Sequence, residues 1–427
     1  WREEVLGLVA RRSAPGARAA TFTVAGAVRR GLQSAGFEVE KRPGYGRKRE
    51  RLEARAPGQA SLPSTPRVAV IGGGIAGASA ARALRALGIE PLLVEAQAAG
   101  AGASGNPAAL VTPRLDAGLG PVARLAAQAF ARAIDLYATI PQAIVARGVL
   151  QLAVGERDVG RFEKIAGSGL FEVDALAVLD VEHTSARLGE AAATGAMDLR
   201  EALVVEPPAV LAAWAGPMRI GRVARLDRRG GAWALIDPDG AVLAEAEAVI
   251  LACGMGAADL APGTELTPVR GQASWQDADE RPDAAAWGGY VLPTRTGLLF
   301  GATHDRGETA LDTRSADHAR NLETLAAARP ELARRIDAGA LQGRAGVRAT
   351  TADRLPLAGP AAAEGLFLLG GFGSRGFSWA PLLAEHVAAL AADAPSPLPR
   401  DLADLVDPGR FRRRAARRGR NLDASDG

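Results

Sequence analysis

RVAVIGGGIAGASAARALRALGIEPLLVEA, residues 67–96, decides the fold. After Arg67, four residues of continuous apolar character run into a glycine turn, a small-residue helix follows as far as Gly88, and a second apolar strand ends on a carboxylate, Glu95. A strand with no polar alternation is one covered on both faces, which is the habit of parallel sheets flanked by helices. Gly72, Gly74 and Gly77 stand in G-x-G-x-x-G spacing at the strand–helix junction, each for its own reason. The first allows a tight turn, the second lets the backbone approach a pyrophosphate, and the third lets the helix pack closely on the strand. Glu95 falls where a carboxylate accepts hydrogen bonds from an adenosine ribose. The flanking strands and helix turn a weak motif into a specific dinucleotide fingerprint.

The rest of the chain says which dinucleotide. AGASGNPAAL, residues 101–110, places Ser104, Gly105 and Asn106 in a second polar turn just after the second strand, suited to the ribityl and phosphate portion of a longer cofactor. GGFGSRGFSWAPLLAEH, residues 370–386, opens a late helix after a buried strand, with Gly371, Gly373, Ser374 and Gly376 free for close approach. A helix N-terminus there would stabilise negative charge developing on a reduced flavin. A nicotinamide cofactor leaves both features without a purpose.

The chain has 427 residues, room for two or three compact units. One cysteine excludes an intrachain disulfide, and four histidines far apart in sequence give no metal-ligand spacing. No apolar run approaches a membrane span and no signal pattern opens the sequence, so a cytoplasmic protein is expected. The net charge of +3 says little, but basic residues cluster at 41–55 and 410–420. Such clusters read either as phosphate contacts or as solvated surface. Ahead of the fingerprint, residues 1–56 read as helix, strand, helix and two strands, the closing part of an α/β domain with no nucleotide loop of its own, and 57–66 has linker composition.

VIGGGIAG, LLVEA, ASGNPAAL, PVRGQ (268–272), GRAGVRATTADRLPLAGP (343–360) and GSRGFSWAPLLAE (373–385) together resemble the D-amino-acid oxidase/glycine oxidase superfamily of flavoproteins. With ATFTVAGAVRRGLQSAGFEVEKRPGYGRKRE (20–50), the chain resembles the MnmC-type bifunctional family of tRNA 5-methylaminomethyl-2-thiouridine biosynthesis. In that family a methyltransferase half precedes an FAD-dependent oxidoreductase half. The resemblance implies an α/β and α+β fold. Residues 67–148, 201–265 and 346–395 would form the FAD-binding domain, 149–200 and 266–345 an antiparallel-sheet substrate domain, 1–56 the end of the methyltransferase and 396–427 a basic tail. It implies non-covalent FAD and tRNA as cofactor and partner. The reaction, on a CH–NH group, would be oxidative removal of a carboxymethyl group from the wobble uridine. S-adenosylmethionine belongs to the full-length family only, and no methyl transfer is expected from this chain. No metal or membrane is implied, and the oligomeric state is open.

The resemblance also assigns residues. Arg348 would fork onto the substrate carboxylate, with an ion pair to Asp353 as the alternative; Tyr290 would donate to the same carboxylate or simply pack. Arg375 would hold flavin or substrate, and Arg270 would sit near the flavin ring face, with Gln272 close to it. Cys253 is expected as a small core residue and His304 as an ordinary strand-end histidine. Trp275 and Trp287 are open as stacking platforms for a base, whereas Trp379 is expected in the core. The segment 190–210 retains little of the family pattern beyond the start of a helix.

Overall fold

The computed structural model describes residues 2–44, 49–58, 66–279 and 281–417. The chain divides into two units, 1–65 and 66–427. The first holds helices Glu3–Arg12 and Gly26–Ser34 and a three-stranded antiparallel sheet of Arg18–Thr21, Glu50–Arg55 and Glu38–Pro43, in that spatial order. Leu6, Leu32, Phe37 and Leu52 form its core. Of the basic cluster at 41–55, Lys41 pairs with Glu50 at 3.0 Å, Arg42 with Glu40 at 2.7 Å and Arg51 with Glu53 at 2.6 Å. Residues 45–48 lie outside the described residues.

The second unit is built on a six-stranded sheet. Strand β1 (Val68–Ile71), helix α1 (Ile75–Ala86) and strand β2 (Leu92–Glu95) form its opening βαβ unit. Strand β3 (Ala248–Leu251) lies parallel to β1 on the other side, although it is far along the chain. Every residue of β1 and β3 is buried, as the unbroken apolar runs require.

A second, mixed sheet carries strands β4 (Thr267–Asp277) and β5 (Gln342–Thr350), paired antiparallel with Val269 opposite Arg348 and Gly271 opposite Gly346. The chain then returns to the first sheet as strand β6 (Leu366–Gly370), parallel to β3, and helix α2 (Gly376–Ala391). Helix α2 packs on α1. The small buried residues of α1, among them Ala76, Ala80 and Ala83 at helical spacing, let two helix backbones approach. Two hydrogen bonds fix the start of α2. Tyr137 Oη donates to the Phe377 carbonyl at 2.8 Å, and Ser378 Oγ donates to the Thr112 carbonyl at 2.8 Å.

The C-terminal basic segment differs from expectation. Helix α3 (Arg410–Arg417) is anchored, with Arg410 only 2 % exposed. Its guanidinium bonds Asp353 at 2.9 Å and the Leu355 carbonyl at 2.8 Å; Arg414 reaches Asp353 at 2.6 Å and Arg413 reaches Asp407 at 3.1 Å. Three of its arginines are therefore engaged within the protein, while residues 418–427 lie outside the described residues.

Candidate FAD and substrate site

The turn after β1 is shaped by backbone proximity. Gly72 takes φ +113°, and a Cβ there would stand 2.6 Å from the Ala252 carbonyl oxygen. A Cβ on Gly77 would collide with the Gly72 carbonyl, so the third glycine keeps α1 against β1 and does not itself face the cavity. Glu95, at the end of β2, accepts from the Gly73 N–H at 2.5 Å and the Gln97 N–H at 3.0 Å. Ser104 Oγ accepts from the Ile75 N–H at 3.1 Å, which ties the second polar turn to the N-terminus of α1.

These elements open on one cavity of about 890 Å³. The parallel sheet contributes Gly72, Gly74 and Glu95 to its walls, and the polar turn contributes Ser104 and Asn106. Gly371, Gly373, Ser374, Arg375 and Gly376 line it where β6 passes into α2. From the mixed sheet and its connections come Trp287, Tyr290, His304 and Arg348. Segments far apart in the chain thus meet around one volume, large enough for a dinucleotide and a small second molecule. At the cavity-lining Gly288 and Gly370, a Cβ would meet no protein atom within 4 Å. The backbone is bare where a flat ring could lie against it, and in this respect the residues present fit a flavin dinucleotide.

Three expected residues stand elsewhere. Arg270 is fully buried and outside the cavity lining; its guanidinium bonds Asp317 at 2.6 Å, the Asp312 carbonyl at 2.6 Å and the Ala310 carbonyl at 2.9 Å. Neighbouring side chains along a strand point to opposite faces. On β4, Arg270 therefore points away from the face that Gly271 and Arg348 share. Gln272, on the same side as Arg270, bonds the Arg314 backbone at 2.7 and 2.8 Å. Gly105 is also off the lining; a Cβ there would come within 3.1 Å of the Arg344 guanidinium carbon.

Arg344 was not anticipated. Its Nη2 donates to the carbonyls of Gly100, Ala101 and Gly102 at 3.1, 2.6 and 2.6 Å, clamping the polar turn that carries Ser104. Burial holds its pKa below the ordinary value. Gly271 was read only as part of PVRGQ. A Cβ on it would fall 2.6 Å from Arg348 Cζ, so the guanidinium occupies the space that a side chain on Gly271 would fill.

Arg348 itself donates to the Thr303 carbonyl at 3.4 Å and forms no ion pair among the described residues; Asp353 is engaged by Arg410 and Arg414 instead. Tyr290 is held above its ordinary pKa by burial, against the opposing field of Arg348, and keeps its phenolic proton as a donor. Arg375 faces the cavity without a protein partner among the described residues; burial and the neighbouring Arg114 lower its pKa. His304 lines the cavity and is lowered by burial, Arg348 and Arg306. Cys253 lines the cavity beside the glycine turn, its thiol pushed up to about 12 by burial, and so remains protonated and unreactive. Trp287 borders the cavity with a buried indole N–H that lacks a partner. Trp275 bonds Gln342 at 3.2 Å away from the lining, and Trp379 is in the core. Among the described residues no acidic, histidine or cysteine cluster could hold a metal ion, and no helix is long and apolar enough to cross a membrane.

Comparison with known proteins defines the class first. Residues 67–390 match the FAD dependent oxidoreductase family and residues 1–57 match an S-adenosyl-L-methionine-dependent methyltransferase family. Glycine oxidase from Geobacillus kaustophilus superposes with a TM-score of 0.69 at 23 % identity, over 80 % of this chain and 98 % of that one. Iminodiacetate oxidase from Chelativorans sp. gives a TM-score of 0.65 at 20 % identity, over 78 % and 97 %. The fold is that of the D-amino-acid oxidase type, and the chain is an FAD-dependent oxidoreductase.

The particular family follows from closer relatives. The tRNA 5-methylaminomethyl-2-thiouridine biosynthesis bifunctional protein MnmC of Caulobacter sp. (strain K31) is 57 % identical over 420 residues, covering 97 % of this chain and 69 % of the relative. That of Maricaulis maris is 40 % identical over 423 residues, covering 98 % and 68 %. The chain belongs to the MnmC family.

Proposed function

We propose that the chain oxidatively removes the carboxymethyl group from 5-carboxymethylaminomethyl-uridine, or its 2-thio form, at the tRNA wobble position. The observation that carries the reading is Arg348, a cation without a counter-ion among the described residues, facing a cavity whose other walls carry the nucleotide turn. A planar guanidinium matches a carboxylate with two parallel hydrogen bonds, a fit that lysine makes poorly. Tyr290, protonated and beside Arg348, supplies a further donor to the same group. Together they would hold an N-carboxymethyl amine by its acid end, with the methylene directed into the cavity.

Gly72, Gly74, Glu95, Ser104, Asn106, Gly371, Gly373, Ser374 and Gly376 would hold FAD without a covalent bond, Glu95 at the adenosine ribose. Bound FAD supplies the two-electron oxidation of the C–N bond. The balance is one N-carboxymethyl amine, one water and oxidised FAD giving the free amine, glyoxylate and reduced FAD. Arg375 can hold developing negative charge at the helix start. S-adenosylmethionine has no part in this half of the chemistry, and the reading takes the protein to be cytoplasmic, where its tRNA would be.

The test is anaerobic addition of carboxymethylaminomethyl-modified tRNA to the FAD-loaded chain. Bleaching of the flavin band with stoichiometric glyoxylate is the expected result. A flavin that glycine or N-methylglycine reduces while the modified tRNA leaves it oxidised overturns the reading in favour of a small-molecule amine oxidase. A flavin that no substrate reduces would leave an RNA-binding scaffold.

A further inference from the structure

Three arginines lie just beyond cavity-lining residues on the side of His304 and Arg375. Arg306 lies two residues beyond His304 and is exposed; Arg354 is exposed six residues beyond Arg348; Arg114 is half-buried two residues beyond the cavity-lining Thr112. The three are close together. Arg114 Nη1 stands 3.5 Å from the Arg354 carbonyl oxygen, and the fields of Arg306 and Arg354 are both felt at His304. Nearby carboxylates do not neutralise them. Asp305 pairs with Arg320 at 2.9 Å, Asp312 with Arg314 at 2.7 Å, and Asp353 with Arg410 and Arg414. Among the described residues, the side chains of Arg306 and Arg354 have no hydrogen bond or ion pair.

Arg354 is also held in place at a cost. It takes φ +58°, a left-handed conformation that a long side chain adopts rarely. Its turn is fixed around it: Thr351 Oγ1 donates to the Leu355 carbonyl at 2.6 Å, the Leu355 N–H donates to Asp353 at 3.1 Å, and Arg410 bonds both Asp353 and that carbonyl. The anchored helix α3 therefore imposes a strained turn whose exposed residue is an uncompensated cation beside the cavity. One carboxylate inside needs only Arg348, so three more unneutralised arginines outside call for a partner that brings several anions at once.

We propose that Arg114, Arg306 and Arg354 form a phosphate-binding collar at the cavity mouth, which seats the RNA backbone on either side of the nucleotide whose base enters. The inference rests on the tRNA reading above and adds the surface that grips the strand. A base delivered to a closed active site must leave its stack, and backbone contacts flanking it hold the strand while it does so. Phosphate contacts by arginine release counter-ions, about 0.7 per phosphate for a single strand, so binding weakens with salt in proportion to their number.

The experiment uses the FAD-loaded 427-residue chain and compares it with the double variant Arg306→Gln/Arg354→Gly and with Arg354→Gly alone. Glycine accepts the left-handed turn without strain, so the single variant separates charge from folding. The expected result is at least a tenfold loss of affinity for modified tRNA in the double variant and a log–log salt slope shallower by about 1.4, about 0.7 per lost phosphate contact. Flavin content and the spectral shift caused by acetate remain unchanged. An unchanged slope overturns the collar. So does an equal loss of acetate binding, which would make these arginines a funnel for small anions. If the wild-type chain binds modified tRNA with the expected slope but its flavin is not bleached, the reaction fails and the collar stands.

Discussion

The Arg348 guanidinium lies in the space that a side chain on Gly271 would occupy, its Cζ 2.6 Å from where a Cβ would be. Strand pairing makes this contact. Arg348 is opposite Val269, and Gly271 is its diagonal neighbour on the same face. A glycine two residues from the pairing partner thus sets where a cation on the next strand points.

Gly271→Ala is expected to push Arg348 off that position while leaving the flavin bound. Loss of a two-pronged charged contact is worth about 1.5–3 kcal/mol, so KM for the modified tRNA should rise roughly ten- to hundredfold, with flavin content near one per chain. Arg348→Lys should give a similar loss. Normal steady-state kinetics for Gly271→Ala would show that the contact does not position the arginine.

Arg344→Ala should loosen the polar turn by removing three hydrogen bonds to successive carbonyls. FAD affinity is expected to fall about tenfold, since one or two net hydrogen bonds of about 1 kcal/mol each are lost. Fluorescence of released flavin on dilution measures it, and retention equal to wild type would count against the clamp.

Arg410→Ala leaves the Asp353 carboxylate without its main partner, and breaking a largely buried pair costs about 3 kcal/mol. The melting temperature should drop, measurably more than for Arg412→Ala. Burial pushes Asp353 up, but the hydrogen bonds and charge of Arg410 and the bond from Arg414 more than reverse it, and its pKa lies below the usual carboxylate range. The stability from this pair is therefore present above the unfolded-state value of 3.8 and is lost as pH falls through the depressed folded value. Acid titration of the wild type and the variant should converge there.

His304 gives a pH signature for ligand binding. Burial, Arg348 and Arg306 hold it below 6.5, so the unfolded chain takes up the proton first and stability falls as pH drops from that value toward the folded pKa. A carboxylate bound at Arg348 offsets part of the cationic field. The imidazole pKa should therefore rise on addition of acetate, and acetate should bind more tightly as pH falls through the same window. Imidazole proton shifts followed by NMR, with and without acetate, check both; an unmoved pKa would place the anion elsewhere.

The place of the glycine turn on the cavity wall was legible because its signals are local. Gly72, Gly74 and Glu95 sit within one βαβ unit, where spacing alone fixes geometry. Arg270 was misread because β4 is buried on both faces from Val269 to Ser274. Arg270, Gln272 and Ser274 alternate with Val269, Gly271 and Ala273, but with both faces covered that alternation does not say which side meets the cavity. The basic C-terminal segment was misread for a different reason: Arg410 finds Asp353 across 57 positions, and a long-range ion pair leaves no trace in local composition. Gly271 and Arg344 act through neighbours on an adjacent strand and a distant turn, relationships that exist only once the register is set.

The cavity wall begins at Ile71 and is completed by the residues from Leu369 to Phe377. During synthesis the chain emerges from the ribosome in the same order, and domains fold from the N-terminus as they appear. Residues 66–427 form one compact unit, so the nucleotide turn and the segment from β6 into α2 close around the cavity together, once the whole unit has left the ribosome. Cofactor capture in the enclosed cavity is accordingly a late event in the life of the nascent polypeptide.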